Sequence, residues 1–164
     1  MAIQISENGR LFTLHTKNSS YQMFADPFGT LLHLYYGKRT DGENLSDLIF
    51  RTDMGFSGNP PEAGSDRTYS LDYLPQELPS SGVGDYRDDC VRIRHADGSC
   101  AARFLFDSFQ VSEGSYSLPG MPALYDTDME TGETLTITLR EACSDMRVEL
   151  LYGVFEQADI ITRA

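Results

Sequence analysis

The residues best suited to chemistry crowd into one stretch of the chain. Asp66, Arg67, Asp72, Glu77, Asp85 and Arg87 stand within it, with Tyr69, Tyr73 and Tyr86 between them. Carboxylates gathered in a loop can do acid/base work, and tyrosines beside them can stack on sugar rings. A plainer reading gives Arg67 and Arg87 the task of tying the loop to nearby carboxylates, since guanidinium grips them through two parallel bonds. The tyrosines then anchor the loop, their rings suiting half-buried positions. Asp88-Asp89 and the acids around Asp126-Thr127-Asp128-Met129-Glu130 raise calcium. They lack the Asp-x-Asp-x-Asp-Gly spacing, so they read as solvated loops. His15, His33 and His95 are isolated, and no Cys-x-x-Cys or His-x-x-x-His occurs, so no metal is assigned. Neither a Gly-rich phosphate loop nor a Gly-x-Ser-x-Gly elbow is present.

The chain of 164 residues suits one domain. It carries 13 Lys and Arg against 25 Asp and Glu, a net charge of −12. Such a surface repels phosphate backbones, which argues against nucleic acid and anionic membrane as partners and leaves neutral ligands such as sugars open. No apolar run approaches the ~18 residues of a membrane span. Residues 1–10 carry no basic flank followed by an apolar stretch, so with Met1 as the native start the expected location is the cytoplasm. Three cysteines, an odd number, fit a reducing compartment. Structural or solvent roles are expected for the three cysteines and the three histidines, free cysteine being usually buried.

The elements that must position these residues have a period of two, which means strands. Leu11 to Thr16, Tyr21 to Phe24 and Leu31 to Tyr36 predict a three-strand meander, with a turn at Asp26-Pro27-Phe28-Gly29. Asp41 to Phe50 reads equally as one helical turn or a short strand. From Arg51 to Asp89 the pattern breaks: the stretch holds four of the seven prolines and five glycines. Loops of that length are functional, partner-bound or disordered, and the tyrosines and leucines here predict an ordered excursion that packs on something. Cys90 to His95 and Ser99 to Val111 predict a hairpin around Asp97-Gly98 that keeps Cys90 and Cys100 apart. Leu118 to Tyr125 reads as a proline-pinned link. Thr134 to Arg140, Arg147 to Phe155 and Asp159 to Ala164 complete eight or nine strands, mostly antiparallel, in two packed sheets. The expected class is all-β, a large antiparallel sandwich with one long ordered loop.

Particular runs carry the reading further. They are Phe56-Ser57-Gly58-Asn59-Pro60, Asp66-Arg67-Thr68-Tyr69-Ser70-Leu71-Asp72-Tyr73-Leu74-Pro75-Gln76-Glu77, Gly84-Asp85-Tyr86-Arg87 and Leu118-Pro119-Gly120-Met121-Pro122-Ala123-Leu124-Tyr125. Glu133-Thr134-Leu135-Thr136-Ile137 and the closing Ile160-Ile161-Thr162-Arg163 follow in the same order. Together they resemble the N-terminal domain of microbial α-galactosidases of glycoside hydrolase family 36, over nearly the whole chain. The resemblance implies a supersandwich over residues 1–164, followed in the parent enzyme by a catalytic (β/α)8 barrel. It implies hydrolysis of terminal α-linked galactose with retention, no cofactor, and a homo-oligomer, tetrameric in related enzymes. Retention needs two carboxyls ~5–5.5 Å apart. In the family both belong to the barrel, so no catalytic residue is assigned within this chain.

One ligand-facing residue carries over. Arg51-Thr52-Asp53-Met54-Gly55-Phe56-Ser57-Gly58-Asn59-Pro60 resembles the family's Leu-Asp-Arg-x-Phe-Ser-Pro-Asn-Pro stretch, whose Asp reaches a galactose pocket shared with a neighbouring subunit. That Asp is Asp53 here; Thr52, Met54 and Gly58 stand where Leu, Arg and Pro are usual. Read from the residues alone, Asp53 is a loop carboxylate that organises a turn. Two rivals to the enzyme-domain reading are a stand-alone carbohydrate-binding module, which usually shows an aromatic platform and here has no Trp, and a structural assembly domain.

Overall fold

A computed structural model describes residues 2–53, 55, 59–83, 85, 87–127 and 130–164. Eight strands are found among them: β1 (Ile3–Ser6), β2 (Leu11–His15), β3 (Ser19–Ala25), β4 (Leu31–Lys38), β5 (Phe104–Glu113), β6 (Glu133–Glu141), β7 (Arg147–Phe155) and β8 (Ile160–Arg163). They form two antiparallel sheets in sequence order, β1-β2-β3-β4 and β5-β6-β7-β8. One apolar core joins them: Ile3, Phe12, Leu14, Met23 and Leu31 from the first sheet meet Leu135, Ile137, Leu139, Tyr152 and Val154 from the second. The period-two reading of β6 holds, with Leu135, Ile137 and Leu139 all buried. The all-β sandwich expected from the sequence is the observed class.

Two elements differ from expectation. β1 is an additional strand, paired Ile3 to Leu14 through a tight connection in which Glu7, Asn8 and Gly9 all have positive φ. The Asn8-Gly9 dipeptide between alternating residues was its available signal. The expected hairpin keeps only its tip, where the His95 amide donates to the Ser99 carbonyl at 2.9 Å. Below the tip, Ser80-Ser81 wedges between the two arms. The Ser81 amide donates to Val91, the Ala102 amide donates to Ser81, and the Ser80 hydroxyl donates to the Ala102 carbonyl. A third chain thus takes the hydrogen bonds a ladder would have used, and the regular strand starts only at Phe104. All three cysteines are free and exposed, within the structural or solvent role expected of them.

The long excursion packs on the outer face of the first sheet. Tyr69, Leu71, Leu74 and Ala63 bury themselves against Leu32 of β4 as a second apolar cluster. Leu31 and Leu32 therefore point to opposite sides, one into the sandwich and one under the loop. The ambiguous segment at 41–50 becomes a strap with one 3-10 turn, Ser46–Leu48. Gln22 of β3 holds it, donating to the Glu43 carbonyl at 2.8 Å and accepting from the Leu45 amide at 3.0 Å. A buried polar knot fixes the excursion's middle. The Tyr69 hydroxyl donates to Asp26 Oδ2 at 2.6 Å, while Asp26 Oδ1 accepts the Phe28 and Thr30 amides at 2.9 Å each.

Glu77, at the excursion's far end, reaches between the sheets. Its carboxylate accepts the hydroxyls of Tyr21 of β3 and Tyr152 of β7 at 2.8 Å. His33 of β4 stands 3.6 Å away, and Arg163 of β8 approaches at 3.4 Å. Burial works to raise this carboxyl. The nearby His33 ring, hydrogen bonds from Tyr21 and Tyr152 and the charge of Arg163 outweigh it, and the net shift is downward. A depressed pKa contributes stability that is present above the unfolded value near 4.5 and lost as pH falls through the folded value. Glu77→Ala strands two buried hydroxyls and is expected to cost about 3–5 kcal/mol at neutral pH by urea unfolding. Glu77→Gln costs less, and its gap to the parent protein should narrow below the unfolded pKa. A gap constant from neutral to acid pH would contradict the ionised-Glu77 account.

Candidate functional site

Asp53 lies at the mouth of the excursion, in a turn whose shape its own side chain sets. Oδ1 accepts the Gly55 amide at 2.7 Å, and Gly55 takes a φ of +80°, a region glycine enters without penalty. Arg67 grips the same carboxylate side-on, Nε to Oδ2 at 2.9 Å and Nη2 to Oδ1 at 3.3 Å. Nη2 also donates to the Gly55 carbonyl at 3.0 Å. The Gly55 amide, and then Arg67, hold the Asp53 carboxyl below the usual aspartate range. The Tyr73 hydroxyl bridges the carbonyls of Thr52 and Thr68, fastening this mouth to the 66–73 segment. Both Asp53 and Arg67 are solvent-facing, 47% and 62% exposed, which leaves unused lone pairs and donors for a ligand. Phe56, Ser57 and Gly58 of the same motif lie outside the described residues.

The carboxylates singled out in the sequence do not gather into one cluster. Asp66 caps an exposed turn, accepting the Thr68 amide and hydroxyl at 2.9 and 2.6 Å. Glu77 is the buried inter-sheet residue. Asp85 is gripped by Arg87 through Nε at 2.8 Å and Nη2 at 2.6 Å, and it accepts from Gln76 at 2.9 Å. Arg87 continues to the Leu74 carbonyl at 2.7 Å, so it does tie the loop. Burial, then the neighbouring Asp85 charge, raises the Asp72 carboxyl against the pull of Arg87. Tyr69 is fully buried and serves the core; Tyr86 lies outside the described residues. In the acidic loop, Asp126 accepts the Gly132 and Ser115 amides, and Glu130 accepts those of Gln157 and Ala158. These carboxylates close turns. Asp128 and Met129 lie outside the described residues.

The histidines serve structure: His15 is bonded to Ser20 at 2.8 Å, and His95 reaches the Ala101 carbonyl at 3.0 Å. Among the described residues no group of three or more His, Cys, Asp or Glu is arranged to hold a metal, and no helix is long and apolar enough to cross a membrane. What sequence reasoning missed was the convergence of Tyr21, His33, Tyr152 and Arg163 on Glu77. No local signal joins residues that far apart in the chain.

The fold is thus an antiparallel two-sheet sandwich with a looped mouth that presents a carboxylate and a guanidinium together. Residues 29–164 match the Glycosyl hydrolase family 36 N-terminal domain, and the chain belongs to that family. It is 48% identical over its whole length to the bifunctional alpha-galactosidase/sucrose kinase AgaSK of Mediterraneibacter gnavus, spanning 17% of that protein. It is 35% identical over 99% of its length to alpha-galactosidase 1 of Pediococcus pentosaceus, spanning 22% of it. Among solved structures, the galactosidase domain of AgaSK superposes with a TM-score of 0.93 over 99% of this chain and 22% of that one, at 48% identity. The GH36 alpha-galactosidase AgaB of Geobacillus stearothermophilus gives 0.87 over 100% and 22%, at 35% identity. The chain thus spans about a fifth of the length of these relatives.

The two arginine clamps should behave differently. Arg67→Ala, at an exposed pair, is expected to change unfolding free energy by less than about 1 kcal/mol. Asp85→Ala removes the acceptor that Arg87 and Gln76 share at a side chain only 1% exposed, and should open the excursion to protease while the strands persist. Equal protease resistance in both variants would show that the clamp at Asp85 does not hold the loop.

Proposed function

We propose that this chain is the N-terminal sandwich domain of an α-galactosidase that continues into a catalytic (β/α)8 barrel. The parent enzyme hydrolyses terminal α-linked galactose with retention and without a cofactor. The observation that supports this best is the match of essentially the whole chain to one end-domain's worth of several alpha-galactosidases, at up to 48% identity. The domain buttresses the barrel, contributes to homo-oligomer contacts and presents Asp53 to a sugar pocket. Exposed Leu48 and Phe50, 66% and 72% exposed beside that mouth, favour docking on protein there. Three free cysteines favour a reducing, cytoplasmic location. The pocket role fits the exposed carboxylate, because charge-assisted bonds to sugar hydroxyls are the strong ones.

The 164-residue chain by itself should show no hydrolysis of an aryl α-galactoside; turnover abolished by one Asp or Glu substitution within it would refute the assignment of catalysis to the barrel. In the full-length enzyme, Asp53→Ala is expected to lower kcat/KM about ten- to a hundred-fold, the equivalent of one lost bond to a charged group, roughly 1.5–3 kcal/mol. Asp53→Asn loses less, since one carbonyl acceptor survives. If Asp53 only shapes its turn, melting temperature falls while kcat/KM per folded molecule stays constant. Kinetics and melting on the same three proteins separate the two.

A further inference from the structure

A cleft of about 350 Å³ opens beside the start of β5, lined by Asn59, Pro60, Pro61, Leu71, Val83 and Arg103. The backbone of Arg103 is fixed on both sides, and its guanidinium is held at one nitrogen. Its amide donates to Glu141 Oε1 at 3.4 Å, its carbonyl accepts the Ala142 amide at 3.1 Å, and its Nη1 donates to Glu62 at 2.9 Å. The rest of the guanidinium is unspent: Nε and Nη2 are shut from solvent and donate to nothing. Those two nitrogens form the fork that this protein uses on carboxylates elsewhere. Arg87 holds Asp85 with Nε and Nη2, Arg92 holds Asp89 with the same pair at 3.0 and 2.8 Å, and Arg67 holds Asp53 likewise. Buried donors on a charged group are costly to leave unmade, so an acceptor that meets this fork is favoured.

We propose that this cleft is a carboxylate-binding site, in which the guanidinium of Arg103 turns its Nε–Nη2 fork toward the incoming group. Pro60, Pro61, Leu71 and Val83 suit a carboxylate carried on a short aliphatic arm. The net charge of −12 gives free anions no long-range attraction, which favours a tethered group, an Asp or Glu side chain on a docked protein surface, over a small acid from solution. The choice of source rests on the reading that the chain belongs to a longer enzyme; the site itself does not.

Acetate is the probe. Titrated into ¹⁵N-labelled 164-residue chain, sodium acetate should displace the Arg103 Nε–H resonance and the Leu71 and Val83 amides saturably, where sodium chloride at equal ionic strength does not. In Arg103→Lys, which keeps the charge and loses the fork, the amide displacements should vanish. Val83→Phe, which fills the cleft and leaves Arg103 in place, should abolish them too. An unsaturable response, or one of equal size in both variants, overturns the site. In the full-length enzyme, loss of acetate's stabilisation of the N-terminal domain's thermal transition identifies a protein side chain as the occupant. Retention of that stabilisation overturns the side-chain source in favour of a free acid.

Discussion

Glu77 is the residue on which the rest of the molecule is hung. It belongs to the excursion, yet its carboxylate accepts a tyrosine from each sheet and faces a histidine and an arginine from two further strands. The backbone helps: the Glu77 amide donates to the Leu31 carbonyl, and its carbonyl accepts from Arg163 at 2.7 Å. A buried charge is tolerated only with this degree of satisfaction, since desolvation of a lone carboxylate costs several kcal/mol. Both sheets, the loop and the last strand are therefore held at one point. Displacing any of them exposes the charge to an incomplete shell.

That geometry explains how an irregular stretch of nearly forty residues stays compact. Loops of this length normally run over the surface because their backbone groups need partners. Here the partners come from the first sheet and from side chains: the Leu31 carbonyl and the His33 amide for Glu77 and Pro75, Tyr73 for the carbonyls of Thr52 and Thr68, Arg87 for those of Leu71 and Leu74. The first sheet is consequently covered on both faces, by the second sheet inside and the excursion outside. The mouth at Asp53 is the part of this cover that faces outward, braced by Arg67 and Tyr73 but not buried.

The four arginine forks divide the labour of the loop. Arg87 and Arg92 hold carboxylates two and three residues away, which shapes backbone locally, and Arg67 reaches across 14 residues to Asp53. Arg103 is different because its one carboxylate partner, Glu62, comes from the excursion and occupies only Nη1. On a chain of net charge −12, where each guanidinium points organises a large share of the surface electrostatics.

Much of this protein was legible in its sequence. Alternation in residues 134–140 gave β6 and its buried face, and the turn residues at 26–29 and 97–98 marked real turns, because period and turn chemistry act over a few neighbours. The motif runs from 56 to 87 pointed to the family through their order, with Asp53 placed by register to Asn59-Pro60. What the sequence alone could not decide depends on contacts between residues far apart. The 90–103 hairpin dissolves below its tip because Ser80-Ser81 arrives from elsewhere and takes its hydrogen bonds. Glu77 reads as one loop carboxylate among several, and only folding brings it Tyr21, His33, Tyr152 and Arg163. Local propensity specifies which segments are strands. Burial of charge, which depends on everything packed around it, decides what each carboxylate does.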